Sequence, residues 1–382
     1  MTAGPLPPVS FRPSRALVDL DAIAANTGYL CRIAAPAALC AVVKADGYGH
    51  GAVPVASAAL EAGAAMLGVA LVEEVLDLRG AGIGAPVLLL SQAPPGAEAA
   101  LVDTGATATV YTEAGVDALA RAASAAGRDV AVHLKVNTGM NRVGCQPDAA
   151  PGLARRIEAA AGLRLGGTWT HFAVADEPDL DCTETQAKLF DAVVADIAAA
   201  GVDPGVLHAA NSAATLVDAE RYRYDMVRCG IALYGIAPAP GLAGTGRLVP
   251  ALTLVSELAH VRRLDPGERI SYGHRYELDR PSWVGTVPLG YHDGVRRGLS
   301  GRAEVLVGGH RRPIAGTITM DQFMVDLGDD EMPVGTEVVL IGRQGEAEIR
   351  AEEWAAKLGT IGYEVTCGIG ARVPRVHVRS GR

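Results

Sequence analysis

Lys44 closes the apolar run Leu39–Val43 and is followed by three glycines in seven residues, Val43-Lys44-Ala45-Asp46-Gly47-Tyr48-Gly49-His50-Gly51. Continuous hydrophobicity of this kind reads as a parallel strand covered on both faces. An amine at such a strand's exit stands on a rigid element yet faces a cleft, where desolvation lowers its pKa and suits it to condense with carbonyls. A lone lysine is ordinarily a solvated surface cation, so the other reactive residue types must be weighed with it. Arg142 follows Lys135 and Met140 after an apolar run, and His171 ends Thr168-Trp169-Thr170. Asn211 and Ser212 open a helix after His208, and amides with a hydroxyl at a helix N-terminus suit a phosphate, although Asn-Ser is equally an ordinary cap. Arg228 precedes Gly230 and Ile231, and Tyr272 lies in Ser271-Tyr272-Gly273-His274-Arg275-Tyr276. Taken singly, these are a surface cation, a hydrogen-bonded histidine, a helix cap and a satisfied tyrosine.

The elements that must carry them follow a pattern. After a short strand at Ala16–Leu20, Asp21 can cap a helix to about Ala34. Apolar runs then recur at Leu39–Val43, Met66–Leu71, Val87–Ser91, Thr107–Tyr111, Val130–Val136, Leu163–His171, Val206–Ala210 and Met226–Tyr234. Amphipathic segments such as Glu113–Ala126, Ala149–Ala161 and Thr183–Ala200 separate them. Eight such alternations predict an α/β fold with an N-terminal (β/α)8 TIM-like barrel, whose polar strand ends gather at one mouth. Past a Pro/Gly-rich stretch at 237–246 come β-rich runs at Leu252–Val261, Trp283–Pro288, Ala303–Val307, Pro313–Ile318, Phe323–Leu327 and Glu337–Ile341, with one short helix at Ala351–Leu358. These predict a C-terminal, mainly antiparallel β domain. The expected division is a barrel over residues 1–240 and a β domain over 241–382, with residues 1–18 able to join the second.

Bulk properties narrow the function. A net charge of −9 with no basic block argues against a nucleic-acid or anionic-membrane surface. Six cysteines without a CxxC pair give neither a disulfide framework nor a zinc pattern. The Pro-rich Met1–Arg15 lacks the apolar core of a signal peptide, and no stretch has the length to span a bilayer, so the expected location is the cytoplasm.

The stretch Val42-Val43-Lys44-Ala45-Asp46-Gly47-Tyr48-Gly49-His50-Gly51, together with Ser271–Tyr276, closely resembles motifs of the bacterial alanine racemases. The resemblance runs in order from Arg15 to Val378. It implies pyridoxal 5'-phosphate held by Lys44 as a Schiff base, with Tyr48, Asn211, Ser212 and the amides of Gly230 and Ile231 at its phosphate. It further implies Arg228 beneath the pyridine ring, joined by His171 to a catalytic tyrosine. Arg142 would lie by the substrate, steadied by Lys135, which is carbamylated in some members. Racemisation needs a base on each face of the α-carbon; Lys44 would serve one and Tyr272, from the partner subunit of a homodimer, the other. Met320, in Thr319-Met320-Asp321-Gln322, would offer an amide to the substrate carboxylate, and Tyr363 would reach the same cofactor-phosphate or substrate region, lining the narrow entry. An arginine at the pyridine nitrogen, never deprotonated in practice, weakens the ring as an electron sink, which fits racemisation better than decarboxylation.

Some positions depart from the family's pattern. Thr317 and Thr319 stand where arginine and cysteine are frequent, His292 and Arg296 are unusual, and Cys367–Ala371 lacks an arginine and a proline. Thr319, beside Met320, directs attention to substrate preference, with a serine racemase as the near alternative. A pyridoxal-dependent decarboxylase would carry an acid at the ring nitrogen and a Gly-rich phosphate loop. A non-catalytic carrier of the cofactor would lack the β domain, and with it Tyr272 and Met320.

Overall fold

The computed structural model describes residues 11–177 and 179–379, so most of the Pro-rich segment Met1–Arg15 lies outside the described residues. Two compact units are present: Asp21–Val249, and residues 11–20 with 250–379. Strand β1 (Arg15–Asp19) comes first in the chain but belongs to the second unit. The helix Leu20–Ala34 follows at once, so Asp21 lies inside its first turn, near the positive end of the helix, instead of capping it.

Eight parallel strands build the first unit: β2 (Ala38–Val42), β3 (Met66–Val69), β4 (Val87–Leu89), β5 (Ala108–Val110), β6 (Val130–Lys135), β7 (Leu163–Trp169), β8 (Val206–His208) and β9 (Met226–Cys229). They pair as β4-β3-β2-β9 and β5-β6-β7-β8. The amides of Leu89 and Thr107 join β4 to β5, and those of Asp225 and Arg228 join β9 to β8, so the ring closes as a barrel. Helix Glu113–Ala126 occupies the expected span, and Ala150–Ala159 and Asp181–Ala199 nearly so. Several strands stop short of the apolar runs that predict them. Leu163–His171 pairs only to Trp169, and Met226–Tyr234 only to Cys229, after which Ile231–Tyr234 turns as a 3-10 helix. The residues lost from the ladders are the ones that form the loops at the C-terminal mouth. Buried Asn26 donates to the carbonyls of Leu233 and Val249 and accepts from the Val249 amide, so the Pro/Gly-rich stretch remains with the barrel unit.

The second unit is a ten-stranded sheet. Its strands are β10 (Leu252–Glu257), β11 (His260–Leu264), β14 (Ser282–Val287), β15 (Glu304–Val307), β16 (His310–Ala315), β17 (Phe323–Gly328), β18 (Glu337–Gln344), β19 (Ala347–Ile349) and β20 (Arg375–Val378), with β1. All pairings are antiparallel except β1 with β20. The run Leu252–Val261 is two strands, not one, because β10 pairs with β1 and β18 whereas β11 pairs with β14. A separate hairpin joins β12 (Arg269–Ile270) to β13 (Tyr276–Glu277). Helix Ala351–Leu358 is as expected, and a second one, Gly362–Cys367, was not; at six residues it is too short to show an apolar period.

One ion cluster ties the chain's first strand region to this unit. Asp293 has no exposed side-chain surface; it accepts from Arg12 at 2.9 Å through both oxygens, from Arg372 Nε at 3.0 Å and from the Gly290 amide at 3.0 Å. Burial pushes the Asp293 carboxyl up, but Arg12, the Gly290 amide and Arg372 outweigh it and hold it below the usual range. The native state therefore binds fewer protons there than the unfolded chain. The stabilisation is complete above about pH 4 and is lost as pH falls through the lowered value. Asp293→Asn is expected to destabilise the protein at neutral pH, by about 1–2 kcal/mol, since the amide loses the charge that Arg12 and the Gly290 amide meet, while Arg12 and Arg372 stay partly solvated and Arg372 keeps Asp321. Denaturant unfolding of both proteins should show that gap narrowing in acid; equal midpoints at pH 7 would contradict it.

Candidate active site

Lys44 leaves β2 half-buried, and the chain then does something glycine content alone did not announce. Ala45, Asp46, Gly47 and Tyr48 all take left-handed helical angles, with φ of 53°, 50°, 61° and 53°. Each non-glycine residue there costs about 1–2 kcal/mol, so a loop alone would not hold it. Glu74 accepts from the Ala45 amide at 2.6 Å, and Asp46 accepts from the Ala52 amide at 2.8 Å. The Tyr234 hydroxyl donates to the Val42 carbonyl at 3.1 Å, and its ring packs on Tyr48 with centroids 4.9 Å apart. Tyr48 is thereby turned inward and buried. Tyr234 and Glu74 escaped the sequence reading, because nothing local to either residue marks it as a brace for a distant turn.

Across the barrel, register does the assembling. Lys135, Trp169 and His208 are lateral partners on β6, β7 and β8, so their side chains share one face. The Lys135 ammonium sits 4.1 Å from the Trp169 ring centre, and the Arg228 guanidinium 4.6 Å from it. Arg228 is buried; its Nη1 donates to His208 Nδ1 at 2.9 Å, and its Nη2 to His171 Nδ1 at 2.9 Å and to the Thr170 and Ala209 carbonyls. An arginine can only donate. Both histidines must therefore accept at Nδ1 and carry their proton on Nε2. His208 Nε2–H then donates to His133 Nδ1 at 2.9 Å. Gly167 makes room for that third ring, since a Cβ there would come within 2.9 Å of it.

Charge agrees with this proton placement. Burial, then the field of Arg228, Arg142, Lys135 and Lys44, pushes His171 well below the ordinary histidine range. Burial and Arg228 do the same to His208. His133 falls to about 4 through burial, Arg164 and Arg228, and Lys135 to about 7 through burial, Arg228, Arg142 and Lys44. Arg142 is exposed, and it acts on Lys135 as a like charge. No carboxylate is among the groups that shift His171, His208, Lys135 or Arg228. Cations that no carboxylate offsets at these four groups suit an anionic occupant.

The loops that follow β8 and β9 suit a phosphate. Ser212 Oγ accepts from the amides of Gly230, at 2.9 Å, and Ala232, at 3.4 Å, so its hydroxyl hydrogen is left to donate onward. Asn211 uses its side chain to cap the helix Ser212–Tyr222, accepting from the Ala214 amide at 3.0 Å. The Tyr48 hydroxyl lies over Gly230, where a Cβ would stand 2.3 Å from it. Tyr48, Ser212, Gly230 and Ile231 thus form a cradle that only glycine at 230 leaves open, and the set fits the phosphate of pyridoxal phosphate.

The remaining sequence candidates lie in the second unit. Tyr272, at the tip of the β12–β13 hairpin, is 75% exposed, and Met320 is 52% exposed. Tyr363, half-buried, lies in the helix Gly362–Cys367. The backbone of Gly290 runs against that of Met320 so closely that a Cβ would lie 2.3 Å from the Met320 carbonyl, and the His292 amide donates to that carbonyl at 3.2 Å. Thr319 closes a turn, its hydroxyl donating to the Gln322 carbonyl at 2.8 Å and accepting from the Gln322 amide. Arg296 packs on Gly368, while Arg372, just beyond the segment that lacks an arginine, joins Asp293 to Asp321 at 2.7 Å.

The proton placement is directly measurable. Nitrogen-15 NMR should show His171 and His208 neutral with Nε2 protonated, and His133 beginning to titrate only near pH 4. An imidazolium signal from His208 at about pH 6.5, the ordinary histidine value, would contradict the network.

Known proteins show the same organisation along the whole chain. A family model described as "Alanine racemase, N-terminal domain" matches residues 18–238, and one described as "Alanine racemase, C-terminal domain" matches residues 251–377. An alanine racemase of Symbiobacterium thermophilum is 48% identical over 367 residues, covering 96% of this chain and 97% of that one. Among solved structures, the alanine racemase of D-cycloserine-producing Streptomyces lavendulae aligns with a TM-score of 0.91 at 42% identity, covering 96% and 97% of the two chains. That of Bacillus anthracis with bound L-Ala-P aligns at 0.90 and 39% identity, covering 99% of this chain and 97% of that one. With both halves matched in order and the barrel and β sheet in place, this chain belongs to the alanine racemase family, whose members depend on pyridoxal phosphate.

Proposed function

We propose that this protein interconverts L-alanine and D-alanine by two-base proton transfer at the α-carbon, using pyridoxal 5'-phosphate. The observation that carries the reading is Lys44 at a strand exit, facing a cluster of three cations, Lys135, Arg142 and Arg228, that together act on His171. Pyridoxal phosphate supplies the electron sink that acidifies the substrate's α-proton. Lys44 Nζ would be the covalent attachment point for the cofactor and the base for one face of the α-carbon. Tyr48, Ser212 and the Ile231 amide would hold the phosphate, Asn211 acting by fixing the helix start and Gly230 by giving its amide to the Ser212 hydroxyl. Arg228 would face the ring nitrogen; among the described residues its Nε–H has no acceptor, so it keeps a donor for that atom.

The second base is Tyr272. A phenol of pKa near 10 needs help to lose its proton, and neutral His171, with Nε2–H as a donor, stabilises the phenolate without surrendering charge of its own. Arg142 and the Met320 amide take the substrate carboxylate, and Tyr363 narrows the entrance. The exposure of Tyr272 and Met320 suits a homodimer in which each mouth is completed by the partner subunit. Lys135, poised near neutrality, has the free amine that attacks carbon dioxide; its nitrogen would gain the carboxyl carbon and release a proton. The resulting carbamate would turn a repulsive neighbour of Arg142 and Arg228 into an anionic support. D-alanine so formed would enter peptidoglycan synthesis in the cytoplasm, and no helix among the described residues has the length and apolarity to cross a membrane.

Two variants test the assignment. Lys44→Ala should abolish the visible absorbance of covalently held cofactor after free cofactor is removed; retained absorbance would remove Lys44 from that role. Tyr272→Phe should leave the absorbance intact and slow α-proton exchange by about 10²-fold or more, the usual weight of a general base, from one enantiomer only. Equal slowing from both enantiomers would mean that Tyr272 does not serve a single face.

A further inference from the structure

Tyr272 is presented by backbone that should not hold its shape unaided. Ser271, at φ 65° and ψ −175°, occupies a region that is in practice reserved for glycine, and Gly273 and His274 follow at φ 76° and 48°. The hairpin beneath them has only two residue pairs, Arg269 with Glu277 and Ile270 with Tyr276. Its foot is anchored, because Ile270 is buried with Leu278, Val284 and Ala315, and Tyr276 packs against that cluster. Its tip is not part of that core.

What closes the tip is the segment after β16. Gly316, at φ 77°, brings its backbone against the hairpin so closely that a Cβ would lie 2.5 Å from the Ile270 carbonyl and 3.0 Å from the Ser271 Cβ. Thr317 follows, buried, and the two segments exchange side-chain hydrogen bonds. The Ser271 hydroxyl donates to the Thr317 carbonyl at 2.6 Å, and the Thr317 hydroxyl donates to the Tyr272 carbonyl at 2.7 Å. Each bond is made by the residue whose neighbour it restrains, so the strained turn is held from both sides. A hydroxyl at 317 is required for this; it is the position where the family's pattern frequently has arginine.

We propose that Thr317 is a positioning residue for Tyr272, and that with Ser271 it clamps the hairpin tip in the conformation from which the phenol reaches the α-carbon. This rests on the reading of Tyr272 as the second base. Loss of the clamp lets Ser271 relax toward ordinary backbone angles and swings the carbonyl and ring of Tyr272 away. Proton transfer is steeply sensitive to such displacement, about 10²-fold for roughly 1 Å, whereas cofactor attachment at Lys44 is not.

The test compares Thr317→Val, Thr317→Ser, Ser271→Ala, Tyr272→Phe and the double variant Thr317→Val/Tyr272→Phe as holoenzymes. Readouts are cofactor absorbance, kcat and KM, and α-deuterium exchange from each enantiomer of alanine. Thr317→Val should keep the absorbance and change KM less than about twofold, yet lower exchange about tenfold or more from the enantiomer that Tyr272→Phe impairs. Thr317→Ser, which retains the hydroxyl, should recover to within about threefold, and Ser271→Ala should repeat the valine phenotype even where Thr317→Val folds poorly. In the phenylalanine background, Thr317→Val should add nothing. Thr317→Val within about twofold of the parent, or a full additional loss in that background, would overturn the clamp while leaving Tyr272 as the base. A silent Tyr272→Phe would remove the base itself, and the clamp's role with it.

Discussion

The structure of the barrel mouth depends on one buried guanidinium. Arg228 lies on β9 with its charge away from water and no carboxylate to meet it, a placement that costs several kcal/mol unless its hydrogens are used. They are used on two carbonyls and two imidazoles. Desolvation lowers the Arg228 pKa to about 10, which still leaves it charged at neutral pH. Because it donates everywhere it touches, it dictates the protonation of His171, His208 and, through His208, His133. One permanently charged residue thus fixes where three mobile protons reside, and it keeps His171 a neutral donor instead of a competing acid.

Both groups assigned to proton transfer sit on strained backbone. Lys44 precedes four residues in left-handed angles, and Tyr272 follows Ser271 in a glycine-only region. In each case the strain is held by partners from elsewhere in the same unit: Glu74, Tyr234 and the Ala52 amide, which Asp46 accepts from, at the first, and Thr317 at the second. Such strain is tolerated where geometry matters more than stability. The glycines that look alike in sequence do different work. Gly230 admits the Tyr48 hydroxyl, Gly290 admits the Met320 backbone, and Gly316 admits the hairpin.

Much of this was legible in the residues. Alternating apolar runs and amphipathic segments gave the eight-stranded barrel, and the change of texture after residue 237 gave the β-rich second half. The motif around Lys44 and the segment around Tyr272 named the chemistry. What escaped was whatever depends on lateral register or on a partner far along the chain. His133 and Lys135 share a strand face by simple alternation, but their meeting with His208 and Trp169 depends on how β6, β7 and β8 slide against one another, including an irregularity between Val132 and His133. Thr317 reads as an ordinary strand residue until its hydroxyl is seen on the Tyr272 carbonyl. The departure at Cys367–Ala371 likewise loses its force once Arg372 is seen to pair with Asp293 and Asp321.

If Lys44 and Tyr272 serve the two faces of the α-carbon, alanine is racemised and little else happens to it. The most direct measurement is α-proton exchange in deuterated water with a panel of L-amino acids, reading product chirality and released carbon dioxide together. Deuterated alanine of both configurations should form, faster than the exchange product of any other member of the panel and without carbon dioxide. Preferential exchange of serine or a larger amino acid, or release of carbon dioxide, would contradict it.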